Sequence, residues 1–252
     1  MEVFQDYAYY YNAFYSDKNY RVEAERVVGL LKKYGRNIRK IINFGCGTGR
    51  HDIEFAKMGY GCTGLDISEH MIRNAVNNAE KARLKINFSV ADIRNYEPKE
   101  KYDAVISLFH VMSYQTSNVD ILNALRTARK ATDRNGILLF DVWYGPGVLS
   151  DKPCVRVKEI EDESNKLIRI ARPVMYDKRN VVDVNYEVWI VNQISGKAQM
   201  IHETHSMRYF FRPELEMILG EAGFELLDNL DGTTLGGTNY DSWTSYFIAK
   251  AV

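Results

Sequence analysis

The sequence predicts an α/β fold in which short buried strands alternate with helices to build a mostly parallel sheet. The chain has 252 residues, which is enough for one such domain with one large apolar core. From Arg39 onward, short apolar runs alternate with segments of helical periodicity, which is typical of βαβ units. We place five strands in order, at 40–44, 61–66, 86–91, 102–108 and 136–142.

Helices are predicted before and between these strands. Residues 5–20 are rich in tyrosine, and apolar residues with helical spacing follow at 22–31, so a helical segment precedes the sheet. Further helices are indicated at 53–56, 71–82 and 122–131. The last of them is expected to end in a turn at 133–136.

The pattern changes after the fifth strand. Residues 150–211 alternate between apolar and polar, as antiparallel hairpins do. A helix signal resumes at Pro213, and two strands are predicted to close the chain at 224–227 and 245–249. We expect a single domain over 1–252, in which the hairpins form an insertion that serves as a substrate lid or a dimer surface.

Charge balance and cysteine content exclude several classes of protein. Lys plus Arg and Asp plus Glu number 33 each, so no basic field is available for nucleic acid. No apolar stretch approaches the roughly 18 residues of a membrane helix, and the first residues lack a secretory signal, so a cytoplasmic location is expected. The 3 cysteines have no paired ligand spacing and favour neither disulfides nor zinc. We expect a small-molecule substrate, no nucleic acid or membrane partner, and a monomer or homodimer.

A glycine turn after the first strand carries the strongest local signal. Gly45, Gly47 and Gly49 let the backbone approach a ligand closely at the N-terminus of the next helix. A dinucleotide fingerprint would read G-x-G-x-x-G, whereas Arg50 stands at the place of the last glycine. The turn therefore predicts a bound ligand and disfavours NAD.

Two carboxylates follow the second and third strands. Asp66 ends the second strand, where it can accept hydrogen bonds from both ribose hydroxyls of a nucleoside, and Ile67 beside it can cover an adenine face. Asp92 follows the third strand, where it can receive the exocyclic amino group of adenine. Because the carboxyl ends of parallel strands share one edge of the sheet, both acids and the glycine turn are expected to converge there.

Five motifs occur in a recognisable order: Phe44-Gly45-Cys46-Gly47-Thr48-Gly49-Arg50-His51, Gly64-Leu65-Asp66-Ile67-Ser68, Ala91-Asp92-Ile93, Tyr102-Asp103-Ala104-Val105 and Leu108-Phe109-His110. With them the chain resembles the class I S-adenosylmethionine-dependent methyltransferase family, from Tyr7 to the C-terminus. The resemblance implies a Rossmann-like seven-stranded methyltransferase sheet with an antiparallel β insertion. It also implies S-adenosyl-L-methionine as cofactor and S-adenosyl-L-homocysteine as product.

The resemblance further implies a set of site residues. The cofactor is expected to contact Tyr11, Tyr20, Gly45, Cys46, Gly47, Asp66, Ile67, Met71, Asp92, Ile93 and Leu108. The methyl acceptor is expected at Tyr7 in the opening segment, at Trp143 and Tyr144 past the fifth strand, and at Arg208 on the insertion. Tyr114 and His110 are the catalytic candidates, joined by His51 as a possible base when the nucleophile is oxygen.

Softer motifs concern the acceptor. The opening 11–15, the segment 202–208 and the helix start 212–215 resemble the nucleotide-sugar N-methyltransferases that dimethylate an amino group on a deoxysugar. Those enzymes carry a histidine where this chain has Tyr114, and an arginine near the C-terminus where it has 241–245. An amine is the expected acceptor, with the amino group of a nucleotide-linked sugar as the specific case. O-methylation, N-methylation of an amino acid and a non-enzymatic cofactor-binding regulator remain open alternatives.

A metal site is not expected. His202 and His205 flank Glu203, but side chains three residues apart on a strand point to opposite faces. Methyl transfer itself requires little chemistry from the protein, because the sulfonium already activates the carbon. Alignment of the nucleophile can supply an effective molarity of about 10⁵–10⁸ M.

Overall fold

Helices and strands alternate through the first half of the chain, and antiparallel strands dominate the second half. The computed structural model describes residues 14, 18–161 and 165–252. In chain order the elements are α1 (Tyr20–Tyr34), β1 (Lys40–Phe44), α2 (Arg50–Lys57), β2 (Gly61–Asp66), α3 (Glu69–Lys81), β3 (Asn87–Val90), β4 (Tyr102–Ser107), α4 (Asn118–Ala131), β5 (Thr132–Tyr144), α5 (Gly145–Ser150), β6 (Arg156–Glu161), β7 (Asn165–Tyr176), β8 (Val181–Asn192), β9 (Ala198–Phe210), α6 (Arg212–Glu221), β10 (Phe224–Asp231) and β11 (Thr244–Ala251). Among the helices of these residues, none has the length and apolar character needed to cross a bilayer.

The main sheet of the described chain has the strand order β3-β2-β1-β4-β5-β11-β10. Neighbours from β3 to β5 pair in parallel, whereas β11 runs antiparallel to both β5 and β10. The chain order reverses between β1 and β4, and the carboxyl ends of these strands flank a crevice at that point. The predicted Rossmann-like seven-stranded sheet is confirmed, including its two closing strands.

The predicted hairpins form a second, antiparallel sheet in the order β6-β7-β8-β9. β9 joins the main sheet by running parallel to the end of β5, through the pairs Trp143–Tyr209 and Tyr144–Phe210. The antiparallel pattern of this region is thus confirmed. A narrow seam of strand pairing connects the two sheets.

Helices cover both faces of the main sheet because adjacent strand residues point to opposite sides. Ile41 belongs to the same apolar cluster as Leu31 of α1, whereas the next residue, Ile42, belongs to the cluster that includes Leu125 of α4 and Leu219 of α6. All five side chains are almost fully buried. Burial of each such side chain contributes about 1.5–3 kcal/mol to folding. The apolar spacing recognised in the sequence therefore forms the core.

A separate apolar cluster lies on the antiparallel sheet. Phe14, which is fully buried, packs there with Leu167, Val188 and Ile201. The Nζ of Lys158 donates a hydrogen bond of 2.6 Å to the carbonyl oxygen of Phe14. Phe14 is therefore seated on the second sheet.

Two local features differ from the sequence prediction. The turn expected at 133–136 lies within the bounds of β5 as a bulge, because Tyr102 pairs with Thr132 and Ala104 with Ile137, and the four residues of β5 between these pairs have no partner in β4. Asn135 has a left-handed φ of 63° inside the strand, next to a register shift against β4. The sequence also does not predict the short helix α5, because Gly-Pro-Gly is equally typical of a turn. A Cβ at Gly147 in α5 would lie 2.1 Å from the Ser242 carbonyl oxygen, so this packing requires glycine.

Candidate active site

A cavity of about 1280 Å³ opens at the carboxyl edge of the main sheet. One side, here called the turn wall, consists of the lining residues that follow β1 to β4, within 45–51 (except Gly49), 66–73 (except Ile72), 90–94 and 108–111. The other side, here called the strand wall, consists of Tyr114, Trp143 and the lining residues of β8 and β9, at 183–186 and 204–207. The location is the one expected for ligands of an open α/β sheet.

The three glycines of the turn have two different roles in the turn wall. Gly45, Gly47 and Gly49 all have positive φ, at 76°, 55° and 71°. A Cβ would lie 2.4 Å from Val111 at Gly45 and 2.7 Å from Phe88 at Gly49, so these glycines permit close packing. A Cβ at Gly47 would meet no protein atom within 4 Å, and Gly47 lines the cavity. Gly47 is therefore the position where the backbone can be approached by a ligand.

Asp66 is fixed by the backbone of its own wall. Its Oδ2 accepts a hydrogen bond of 2.8 Å from the Gly47 N–H, and its Oδ1 accepts one of 2.9 Å from the Ser68 N–H. Burial raises the pKa of the Asp66 carboxyl, and these two donors partly oppose the rise. Each carboxylate oxygen has a further lone pair. The oriented carboxylate can therefore accept hydrogen bonds from a pair of ribose hydroxyls.

Asp92 is held by an arginine that the sequence reasoning missed. The Arg94 Nη2 lies 2.6 Å from Asp92 Oδ2, and its Nε lies 2.9 Å from Asp92 Oδ1. The Arg94 Nη1 also donates to Asp120 at 3.2 Å. Hydrogen bonds from Arg94 hold the pKa of Asp92 below its ordinary value. The carboxylate therefore stays ionised as an acceptor for an amino group. A short-range signal existed, since Arg94 lies two residues after Asp92.

The backbone after β4 is constrained by an acid on β5. Phe109 and His110 both have left-handed φ values, 65° and 64°. The His110 N–H donates to Asp141 Oδ1 at 2.9 Å, and the His110 Nδ1 lies 3.0 Å from Asp141 Oδ2. His110 lines the cavity, but its ring is turned toward this carboxylate. Its role as a catalytic base stays a prediction.

A buried charged cluster at the turn wall was also missed. The Glu23 carboxylate lies 3.0 Å from Lys18 Nζ and 2.7 Å from His51 Nε2. The ammonium of Lys18 stands 3.6 Å from the centre of the Phe109 ring. Burial lowers the pKa of both Lys18 and His51. These residues come from α1, the loop before it and α2, so no local spacing in the sequence connects them.

The strand wall brings together distant aromatic and imidazole groups. The Tyr114 hydroxyl lies 2.7 Å from Nδ1 of His205, which is 3% exposed. The Tyr186 ring stands edge-on to this imidazole, with centroids 5.0 Å apart. Trp143 lines the same side of the cavity. Tyr114 and Trp143 thus line the cavity, together with His205 and Tyr186 of the insertion.

The opposite face of the β8–β9 pair adds small polar groups to the cavity. The Ser206 Oγ donates to Asp183 Oδ1 at 2.6 Å, and the Thr204 Oγ1 donates to Asn185 Oδ1 at 2.8 Å. These residues alternate along their strands with Tyr186 and His205, so both faces of the pair contribute lining. The strand wall therefore offers hydroxyl, amide and carboxylate groups.

Two residues predicted to contact the acceptor do not line this cavity. Tyr144 alternates with Trp143 on β5, is 8% exposed, and accepts a hydrogen bond of 3.3 Å from Thr238. The guanidinium of Arg208 is turned toward the helices, where it bonds Asn118 at 2.8 Å and Glu214 at 3.2 Å. Arg208 therefore connects β9 to α4 and α6. This is a correction to the sequence prediction.

The remaining predicted residues divide into two groups. Those found in the cavity lining are Tyr20, Gly45, Cys46, Gly47, Asp66, Ile67, Met71, Asp92, Ile93, Leu108, His110, Tyr114 and Trp143. Tyr7 and Tyr11 lie outside the described residues. In the part of the chain that is described, no three His, Cys, Asp or Glu side chains are placed to hold a metal ion. His202 is exposed and His205 is buried, as their spacing on one strand predicts.

The turn wall fits a nucleoside cofactor. At Gly47 a ligand can approach the backbone. Along the same wall, the oriented Asp66 carboxylate can accept hydrogen bonds from hydroxyl groups, and the ionised Asp92 can accept one from an amino group. Ile93 is buried, whereas Ile67 is 59% exposed and contributes apolar surface to the lining. Burial raises the pKa of the Cys46 thiol well above its ordinary value, so this cysteine is neutral lining.

Comparisons with known proteins agree with this assignment. Residues 41–136 match a family model described as a methyltransferase domain. The chain is 23% identical over 234 residues to dTDP-3-amino-3,4,6-trideoxy-alpha-D-glucopyranose N,N-dimethyltransferase of Streptomyces venezuelae, covering 92% of this chain and 94% of that protein. Its fold resembles the crystal structure of an S-adenosylmethionine-dependent methyltransferase from Clostridium acetobutylicum, with a TM-score of 0.82, 16% identity and 96% of each chain covered. An S-adenosylmethionine-bound amino pentose methyltransferase from Micromonospora echinaspora gives a TM-score of 0.77 at 18% identity, covering 100% of this chain and 99% of that one.

Proposed function

The chain belongs to the class I S-adenosylmethionine-dependent methyltransferases, and on that premise we propose that it methylates the amino group of an amino sugar. It is an enzyme, and its cofactor is S-adenosyl-L-methionine. One observation carries the choice of acceptor. The cavity that fits the cofactor continues into the strand wall, whose small polar groups suit a hydroxylated amine.

The turn wall supports catalysis by positioning. When bound, the cofactor supplies a methyl group on a positively charged sulfur. Asp66 and Asp92 fix the orientation of the nucleoside, and Gly47 lets it approach the backbone. When the methyl donor and the methyl acceptor are both held in place, their reaction becomes effectively unimolecular. The chain's own contribution is thus to align the acceptor nitrogen with the methyl carbon and to exclude water.

The charge distribution supports a polar acceptor rich in hydroxyl groups. Among the described residues, the Lys and Arg side chains that line the cavity come from the turn-wall side, at Lys18, Arg50, Arg73 and Arg94. Residues 183–186 and 204–207 contribute a carboxylate, an amide and hydroxyls, and no Lys or Arg occurs among them. Such groups hydrogen-bond sugar hydroxyls and an ammonium.

The relatives supply the remaining support. The Streptomyces venezuelae protein is named for a dTDP-linked amino sugar, and a second relative, from Saccharopolyspora spinosa, is named for another. We extend this acceptor class to the chain, with a nucleotide-linked amino sugar as the specific case. The proposal also includes a small-molecule acceptor handled in the cytoplasm by a monomer or homodimer.

The test is a panel of acceptors incubated with purified protein and S-adenosyl-L-methionine. The panel contains a nucleoside-diphosphate amino sugar, the same sugar without the nucleotide, its N-acetyl derivative, the corresponding sugar lacking nitrogen, and glycine. Mass spectrometry should show the gain of one or two methyl groups on the amino sugars and none on the N-acetyl or nitrogen-free controls. Methylation of the nitrogen-free sugar would instead identify an O-methyltransferase, and methylation of glycine alone would identify an amino-acid enzyme.

A further inference from the structure

We propose that Tyr114 and His205 form a relay that removes a proton from the ammonium group of the acceptor before methyl transfer. This inference rests on the proposed function, because it assumes an amine acceptor. An alkyl amine of ordinary basicity is protonated near neutral pH. A protonated nitrogen has no lone pair with which to attack the methyl carbon, so the proton needs a route out.

Two distant segments bring the pair together. Tyr114 ends the 3₁₀ turn Val111–Tyr114 after β4, and His205 lies on β9, 91 residues later. The Tyr114 hydroxyl and the His205 Nδ1 are 2.7 Å apart, and both residues line the cavity. The turn is tied to β5, since the Ser113 Oγ accepts a hydrogen bond of 3.0 Å from the Trp143 N–H. The phenol is therefore held at a fixed place in the strand wall.

The relay requires one tautomer of the imidazole. With the ring hydrogen on Nε2, which lies 3.4 Å from Oε1 of Glu203, the Nδ1 presents its lone pair to the Tyr114 hydroxyl. In that tautomer Tyr114 donates its own hydrogen to His205. The phenol oxygen is at the same time an acceptor, and an N–H group that enters the cavity can donate to it.

Three strands contribute the groups around the His205 imidazole. Glu203 shares a strand face with His205 on β9, because the two residues are two apart. From β8, Val184 pairs with His205 in register and Tyr186 stands edge-on to its ring. From β7, the Arg169 guanidinium lies over the Tyr186 ring, 5.3 Å from its centre. The carboxylate of Glu203 and the guanidinium of Arg169 are thus the charged groups that these strands bring to the side of the cavity where His205 lies.

The relay moves one proton at each end and conserves charge. The acceptor ammonium gives a proton to the Tyr114 oxygen while the phenol O–H gives its proton to the His205 Nδ1. A neutral amine, a neutral tyrosine and an imidazolium result. The amine lone pair then forms the N–C bond, and the C–S bond breaks with its electron pair going to sulfur, which leaves as the thioether S-adenosyl-L-homocysteine. The product is a methylated ammonium, and the imidazolium loses its proton to solvent.

The other histidine candidates from the sequence are directed elsewhere. His51 is bound to Glu23 at 2.7 Å, and burial lowers its pKa. His110 faces Asp141 at 3.0 Å. Both belong to the turn wall, whereas Tyr114 and His205 belong to the strand wall. The relay is thus placed on the side proposed to hold the acceptor.

Three variants test the relay with an amine that the wild-type enzyme methylates. Tyr114→Phe removes the hydroxyl, and His205→Asn keeps a hydrogen-bond acceptor in place of Nδ1 but cannot take up a proton. His202→Asn, exposed on the same strand, is the matched control. Near pH 7 the first two variants should lower kcat on the order of 10²-fold, with unchanged affinity for S-adenosyl-L-homocysteine. The loss should shrink as the pH approaches the pKa of the amine, because the free base needs no relay.

A second readout requires no turnover. Nuclear magnetic resonance of protein with isotope-labelled histidine, bound to S-adenosyl-L-homocysteine, reports which nitrogen of each ring carries hydrogen. We expect the Nε2–H tautomer at His205, assigned by the signal that disappears in His205→Asn. An Nδ1–H tautomer would overturn the relay, because Tyr114 would then accept a hydrogen bond from His205.

The outcomes separate this inference from the proposed function. If the wild-type enzyme methylates an amine and His205→Asn keeps its rate and pH profile, His205 is only structural and the relay is wrong. In that case the proposed function stands. If the wild-type enzyme methylates hydroxyl groups but no amine, the proposed function is wrong and the relay falls with it.

Discussion

The turn wall and the strand wall of the cavity are built from the sequence in different ways. Apart from the Lys18–Glu23–His51 cluster, the residues of the turn wall follow strand ends closely in sequence, as Asp66 does at the end of β2. Residues of the strand wall meet across large sequence separations, as Tyr114 and His205 do across 91 positions. The residues of a wall made of local motifs can be predicted from the sequence. The contacts of a wall made by strand register are known only from the folded structure. Substitutions in the two walls should therefore separate cofactor binding from acceptor chemistry.

The largest expected effect concerns Asp52, a buried acid of α2. Asp52 is fully buried, accepts a hydrogen bond of 2.9 Å from Asn43, and burial raises its pKa to about 7 from an ordinary 3.8. Between these values the folded chain binds more protons than the unfolded chain. The free energy of unfolding should therefore fall as the pH rises from about 4 to about 7, by at most about 4 kcal/mol. Denaturant titrations at a series of pH values measure this dependence.

Asp52→Asn provides the reference for that measurement. The asparagine does not titrate, so the variant should lack the part of the slope that Asp52 causes. The same slope in both proteins would show that Asp52 is already ionised in the folded chain at low pH. Asp52 would then be a buried carboxylate that is ionised in the folded chain.

Asp66→Ala should weaken binding of S-adenosyl-L-homocysteine by about 1–3 kcal/mol, because donors that met a buried carboxylate lose their acceptor. Asp103→Ala is the matched control. The Asp103 carboxylate also accepts two backbone hydrogen bonds, from Arg39 and Lys40 at 2.8 Å, but lies away from the cavity. Calorimetry should show unchanged affinity in the control. Equal affinity for S-adenosyl-L-homocysteine in both variants would show that Asp66 does not bind the cofactor.

Arg208→Ala tests the correction made to the strand wall. Because the guanidinium connects Asn118 and Glu214, its removal should lower the free energy of unfolding by about 1–3 kcal/mol. The KM for the acceptor should stay at the wild-type value in the folded variant. A thermal melt and steady-state kinetics check the two parts. An increase in the KM for the acceptor without loss of stability would show that Arg208 contacts the acceptor after all.

The smallest expected effect is at the glycine turn. Gly47→Ala places a methyl group toward the space where the cofactor approaches, and should lower its affinity by roughly tenfold, about 1.4 kcal/mol. Gly59→Ala is matched in backbone, since Gly59 has a φ of 91° and a Cβ there would meet no atom within 4 Å, but it lies outside the cavity lining. Both variants should lose similar stability from left-handed strain. Only Gly47→Ala should affect calorimetric binding.

Much of the turn wall was predictable because parallel strands deliver their carboxyl ends to one edge. Gly47, Asp66 and Asp92 follow from spacing alone, and all three line the cavity. Arg208 was misplaced, because alternation on a strand shows that residues share a face without showing which face meets the ligand. The sequence pattern places His205 on the insertion but does not show what it contacts. Its partner, Tyr114, lies on another element, and no local pattern predicts that pairing.

The seam between β5 and β9 has a consequence for how such enzymes diverge. The ladder that joins the two sheets involves only Trp143–Tyr209 and Tyr144–Phe210 among the described residues. Insertions, deletions and exchanges within the hairpins can accumulate without altering the order or register of the main sheet. A lineage can therefore acquire a new acceptor by replacing one peripheral segment while it inherits cofactor binding intact.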